Sequence, residues 1–272
     1  MKKSLKYRQI IADVRRVVVK IGSRVLVQST GRPDMRSMGK LARNLAQIQR
    51  AGREVVVVTS GAIGCGMEAL GMRERPKALP DLQMAAAVGQ GRLMARYDRL
   101  FSARGCKVGQ VLLTHADFHH KIRLTNARRT LENLIRHRVI PLINENDVVA
   151  DEEIRADLAL GDNDLLASLL VKLIRADLLI ILSTVDGIRA PAPKGRTTRI
   201  RYVESINRSV FALVKAGHSA MSKGGMESKL RAAQSVAQSG CSVVIADGRQ
   251  RNVLTRIMNG EDVGTLILGA PL

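Results

Sequence analysis

Two lysines and two amide–carboxylate clusters carry the chemistry that can be read from this chain. Lys20 closes the stretch RVVVK at 16–20 and is followed by Gly22 and Ser23, while Lys229 ends the stretch SKGGMESK at 222–229. The clusters are NEND at 144–147 and GDND at 161–164. Both fall in an acidic run: Glu145, Asp147, Asp151, Glu152, Glu153, Asp157, Asp162 and Asp164 are eight of the chain's 24 acids, and Arg155 is the only base among them. A lysine at the end of an apolar strand is costly to bury unpaired, so Lys20 either snorkels to water or meets an anion.

The clusters admit three readings. They are turns, because Asn, Asp and Gly are turn formers. They are hard-cation sites, because grouped oxygens suit Mg2+ or Ca2+, although the EF-hand spacing is absent. Or they grip the amino group of a zwitterionic substrate and hold the lysines in position. Two lysines and two such clusters, all expected at strand ends, favour the third. Phosphoryl transfer is largely positioning plus charge neutralisation, and it needs this set of groups.

Small residues near them add backbone donors. Gly22 lets N–H groups approach a phosphate, and Gly61, Gly64 and Gly66 in SGAIGCG at 60–66 do so where a strand opens into a helix. Lys223, Gly224 and Gly225 form a turn expected to precede a long helix, with Lys229 about one turn inside it. Neither GxSxG nor GxxxxGK[ST] nor a strand-linked GxGxxG occurs in these places.

The elements that must position these groups alternate along the chain. Apolar β-branched runs at 16–20, 54–59, 107–113, 139–143, 178–182 and 242–246 read as central parallel strands. Segments at 38–50, 82–104, 124–136, 165–174 and 225–239 carry apolar residues at helical spacing. Such alternation predicts right-handed crossovers and a three-layer αβα sandwich with a mainly parallel sheet. Ligands then sit beyond the carboxyl ends of the strands, where Ser60, NEND, GDND and Ser183–Thr184 fall. The Pro/Gly/Arg-rich stretch 186–201 reads as an exposed loop within one domain spanning 1–272.

Composition bounds the rest. With 272 residues, 46% of them apolar, and mean hydropathy near zero, the chain is globular; aromatics at 2% leave the core to Val, Ile, Leu, Ala and Met. No window is long and apolar enough to span a bilayer, and the basic start is not followed by a signal-peptide core. Cys65, Cys106 and Cys241 make no metal spacing and suit a reduced cytoplasm. The formal charge of +20 invites polyanions, yet the bases are spread thinly and lack interleaved aromatics, so nucleic-acid binding is not the expected role.

The residues also carry a resemblance. VVVKIGS at 17–23, VVTSGAIGCG at 57–66, AAAVGQGRLM at 85–94 and GQVLLT at 109–114 continue into PLINENDVV at 141–149, GDNDLLASL at 161–169, GGMESKLRAA at 224–233 and VGTLI at 263–267. In this order and over nearly the whole chain they resemble the amino-acid kinase superfamily and, within it, the glutamate 5-kinase family. The resemblance implies transfer of the γ-phosphate of ATP to the side-chain carboxylate of L-glutamate with Mg2+, the first step of proline synthesis. It implies that Ser60, Asp147 and Asn163 bind glutamate, that Lys20 and Lys229 stabilise the moving phosphoryl group, and that Asp164 orients both lysines. The nucleotide site would comprise Lys20, Gly22, Gly61, Ser183, Thr184 and the run Lys223, Gly224, Gly225, Met226, Glu227, Ser228, Lys229, with no protein metal ligand. Many members carry a C-terminal PUA domain, and the chain reads as a short form without it. A homo-oligomer and functional pairing with glutamate-5-semialdehyde dehydrogenase are further expectations. The chain departs from the family in the nucleotide half: Ser183–Thr184 stands for Thr-Asp, the RAPAP at 189–193 lacks the family's Asp, and Ser222–Lys223 replaces Gly-Thr. Those changes leave an alternative, a catalytically weakened homologue acting as a glutamate- or proline-binding regulator.

Overall fold

The computed structural model describes residues 9–28, 30–149, 162–193, 196–216 and 220–270, without the side chains of 162, 215, 216 and 220–224. The acids Asp151, Glu152, Glu153 and Asp157, together with Gly161, therefore lie outside the described residues.

Valine and isoleucine runs form the middle of an eight-stranded sheet. Strands β1 (Arg16–Ile21), β2 (Glu54–Val58), β3 (Lys107–Leu113), β4 (Val139–Glu145), β5 (Leu178–Ser183) and β9 (Ser242–Asp247) are the six expected from sequence. The sheet order is β3-β4-β2-β1-β5-β9-β10-β8, where β8 is Tyr202–Val203 and β10 is Thr265–Ile267. Every pairing is parallel except β9 with β10. The stretch expected to be a loop instead folds in part as an antiparallel pair, β6 (Arg189–Pro191) with β7 (Thr197–Arg199). Arg189 accounts for the difference, because its guanidinium reaches the carbonyl of Thr197 and both carboxylate oxygens of Asp186.

Helices cover both faces. Side chains alternate across a strand, so Val17, Val19 and Ile21 enter one core with α2 (Met35–Arg50), α4 (Leu79–Ser102) and α10 (Val253–Met258). Val18 enters the other with α6 (Lys121–Arg136), α7 (Asp162–Ile174), α8 (Arg208–Ala216) and α9 (Ala220–Ala237). Period two then directs Lys20 to the α7 and α9 side. Short helices α1 (Ser23–Leu26), α3 (Ala62–Ala69) and α5 (His115–His119) follow β1, β2 and β3.

One expected turn proves helical. The segment 222–229 lies within α9, so Lys229 sits nearer the helix middle than its first turn. Gly224–Gly225 is tolerated there at roughly 1 kcal/mol per glycine, with tertiary packing of Met226 and Leu230 holding the helix. Gly66 also has a different task. A Cβ on Gly66 would collide with the carbonyl of Ala85, and one on Gly89 with the carbonyl of Ala62, so these two glycines let α3 and α4 touch backbone to backbone.

Gly89→Ala should therefore force the two helices apart and cost about 1–3 kcal/mol or more. Gly91→Ala, with nothing within 4 Å of its Cβ, should be neutral or stabilise by up to about 1 kcal/mol. Urea unfolding of the two variants checks this, and equal effects would contradict the packing role.

Candidate active site

The first turn of α7 organises the site. Successive helical residues point about 100° apart, so Asn163 and Asp164 reach different neighbours. Asp164 is fully buried. Its Oδ1 lies 2.7 Å from Lys20 Nζ and its Oδ2 lies 3.0 Å from Lys229 Nζ, which also donates to the Gly225 carbonyl at 3.0 Å. Lys20 is itself only 5% exposed. Burial alone pushes the Asp164 carboxyl up, but the charges of Lys20 and then Lys229 outweigh it and hold the group below the usual carboxylate range. The triad carries a net positive charge, with both ammonium groups fixed on one carboxylate.

Asn163 turns toward the ends of β2 and β4. Its Nδ2 donates to the Thr59 carbonyl at 2.9 Å and to Ser60 Oγ at 2.8 Å, with Asn144 Oδ1 at 3.2 Å. The Thr59 carbonyl can only accept, which fixes the amide orientation. Asn144 Nδ2 in turn donates to Gln90 Oε1 at 2.9 Å. Asn163 Oδ1 and Gln90 Nε2 are buried without a hydrogen-bond partner among the described residues. An unmet buried acceptor is costly, and a bound donor would satisfy it. Beneath Ser60, Thr59 Oγ1 and the Tyr97 hydroxyl are 2.7 Å apart, and burial pushes the Tyr97 phenol well up, outweighing that hydrogen bond.

A cleft of about 710 Å3 opens from this network. Ser60, Gly61, Asn144, Asp147 and Asn163 line it, together with Glu145 and the arginines Arg24, Arg73 and Arg75. Gly61 has φ +112° at the N-cap of α3, a conformation that favours glycine. The expected donor at Gly22 is corrected, because its N–H is bonded to the Leu182 carbonyl at 2.9 Å. That glycine instead keeps space open, since a Cβ there would lie 3.9 Å from Lys20 Nζ and 3.1 Å from the Leu182 carbonyl.

The nucleotide half is less uniform. Ser183 ends β5 and Thr184 follows it, and Arg249 bridges this turn to β9 by donating to the Thr184 carbonyl and to both oxygens of Asp247. Along α9, Met226 and Ser228 are buried and Glu227 pairs with Arg231 at 2.7 Å. Among the described residues of α9, Lys229 and the Gly225 carbonyl are joined at the Asp164 carboxylate by the lysine ammonium group. The side chain of Lys223 and residue Gly224 belong to the stretch whose side chains are not described.

Of the residues singled out from the sequence, the structure joins Lys20 and Lys229 to Asp164 and sets Ser60, Asp147 and Asn163 on one cleft. Sequence reasoning treated Asn144 and Glu145 only as parts of the NEND cluster and gave no role to Gln90, although all three lay inside the quoted segments. Arg24, Arg73 and Arg75 offered only their charge.

The model of the Amino acid kinase family matches residues 15–247. The chain belongs to that family. Among its amino acid kinase relatives, the glutamate 5-kinase of Pelobacter propionicus is 40% identical over 263 residues, which span 96% of this chain and 69% of that protein. The glutamate 5-kinase of Clostridium acetobutylicum is 40% identical over 260 residues, 95% of this chain and 96% of that protein. Carbamate kinase from Giardia lamblia bound to AMP-PNP shares the amino-acid kinase fold at a TM-score of 0.65, with 18% identity over 94% of this chain and 99% of its own.

Asp164→Asn should strand two buried ammonium groups and cost about 3–5 kcal/mol at pH 7. Because the folded carboxyl titrates lower than the unfolded one, the lost stabilisation is fully present above about pH 4 and disappears as pH falls through the folded value. Urea unfolding of both proteins should show a gap that is constant from pH 7 to 5 and narrows below pH 4. A gap that widens on acidification would contradict the ion-pair account.

Proposed function

We propose that this protein transfers the γ-phosphoryl group of ATP to the side-chain carboxylate of L-glutamate, giving L-glutamyl 5-phosphate for proline synthesis. The observation that carries the reading is Asp164 gripping Lys20 and Lys229 directly beside the Asn163–Ser60–Asn144 amide network. Relatives named glutamate 5-kinase over nearly the whole chain support the same reaction.

The acceptor needs no base. A side-chain carboxyl of ordinary pKa about 4.3 is already ionised at neutral pH. The obstacle is repulsion between two anions, roughly 4 kcal/mol per pair of unit charges at 4 Å and an effective dielectric of about 20. Lys20 and Lys229 offset it by meeting the charge on the transferred group. A carboxylate oxygen bonds to the γ-phosphorus as the bond to the β,γ-bridging oxygen breaks, and ADP leaves with that electron pair. Asp147 and the unpartnered Asn163 Oδ1 take the substrate ammonium, and Ser60 orients a carboxylate. Arginines 24, 73 and 75 raise the local concentration of anionic substrates.

Mg2+ enters this reading with the nucleotide. No group of three or more His, Cys, Asp or Glu that could hold a metal occurs among the described residues, and Asp164 is committed to two lysines. The donor set fits an ion carried mainly by phosphate oxygens and water, where it would neutralise phosphate charge. The product is a reactive acyl phosphate, so a reductase of the glutamate-5-semialdehyde dehydrogenase class is the expected consumer, in the cytoplasm and with this chain as a homo-oligomer. No helix among the described residues is long and apolar enough to cross a membrane. A binding-only regulator has no observation in its favour, since both lysines and their carboxylate are assembled.

With Mg·ATP, an amino-acid panel and hydroxylamine, hydroxamate should form with L-glutamate alone. Lys229→Ala should lower kcat by about 10²–10³, the size of losing one transition-state donor, while KM for glutamate changes less than about threefold. Equal losses in kcat and in glutamate binding would contradict the role given to Lys229.

A further inference from the structure

A second concavity lies at the opposite end of the sheet from the two lysines. It occupies about 440 Å3 where β1, β2 and β4 begin and where α2 and α6 end. The six residues of β1 separate it from the kinase site, roughly 20 Å at about 3.3 Å per residue. Five arginines line it, Arg15, Arg16, Arg53, Arg136 and Arg138, against two acids, Glu54 and Glu132.

The acids are already committed. Arg16 holds Glu54 through Nε at 2.6 Å and Glu132 through Nη1 and Nη2 at 2.7 and 3.0 Å, and it also donates to the Ile174 carbonyl. Arg15 stands 3.5 Å from the other oxygen of Glu54 and is 82% exposed. Arg53 donates to the Ile11 carbonyl at 3.2 Å, and neither Arg136 nor Arg138 forms an ion pair among the described residues. The backbone carrying Arg15 and Arg16 is pinned, because both N–H groups donate to Asp177 Oδ2 at 2.8 and 2.7 Å.

Five positive and two negative side chains leave three formal charges. The C-termini of α2 and α6 contribute about half a negative charge each, so about two positive charges remain uncompensated in a concave space. With Arg16 spent on Glu54, Glu132 and the Ile174 carbonyl, the guanidinium forks left for phosphate oxygens, which such forks meet two at a time, are those of Arg15, Arg53, Arg136 and Arg138. A single phosphate, with about two negative charges, balances this excess but can engage only one or two forks; a chain of linked phosphates can meet Arg15, Arg136 and Arg138 together.

We propose that this cavity is a distal anion site that takes a compact oligophosphate. It depends on none of the chemistry assigned to the opposite end of the sheet.

Calorimetric titration of inorganic tripolyphosphate at near-physiological salt tests it, using the full chain carrying Lys229→Ala to weaken phosphate binding at the kinase site. The parent should show a saturable component that Arg136→Ala/Arg138→Ala weakens at least tenfold, and orthophosphate at matched ionic strength should bind at least tenfold more weakly than tripolyphosphate. Both arginines are exposed, so circular dichroism should report an unchanged fold. An isotherm that superimposes on the parent's after their removal, or heat that never saturates, as expected for diffuse attraction to a +20 surface, would overturn the proposal.

Discussion

One buried carboxylate holding two ammonium groups is the constraint from which the rest of the site follows. Asp164 is fully buried, and an isolated charge there would be driven to neutralise. Lys20 and Lys229 prevent this, and Asp164 returns the effect by fixing two long, rotamer-rich side chains that would otherwise spread. Their preorganisation is what an anion-to-anion transfer requires, because countercharge already in place costs no rearrangement when the reaction occurs. The ion pairs also tie β1, α7 and α9 together at the carboxyl end of the sheet.

Two adjacent residues divide the labour. Asn163 faces the amide network at the ends of β2 and β4, while Asp164 faces the lysines, so the first turn of α7 couples substrate recognition to charge neutralisation. The nucleotide side is built differently. There Arg249, forked onto Asp247, secures the Thr184 carbonyl.

Much of this was legible in the residues because strand periodicity is rigid. Once 16–20 is a strand in a sheet covered on both faces, alternation sends Lys20 to the face opposite Val17 and Val19. The cluster NEND was legible for a related reason, since polar residues that close an apolar strand must sit at the sheet's end. What escaped was long-range or backbone-determined. Gly22 looked like a phosphate donor, but its N–H was taken by Leu182, 160 residues away along the chain. Gly66 looked like part of an anion loop, although it serves contact with Ala85. The two glycines at 224–225 suggested a turn, and tertiary packing of α9 overrode that local preference. Asn144 and Gln90 lie far apart in sequence, and nothing local announces that their amides meet.

The account's central claim is that both lysines act on one phosphoryl group while remaining braced by Asp164. A crystal structure with AMP-PNP and glutamate bound tests it most directly. Both Nζ atoms should lie within about 3.2 Å of oxygens at or bridging to the γ-phosphate, with Asp164 still beside them. A complex in which either ammonium group stays turned away from the phosphate chain would contradict it.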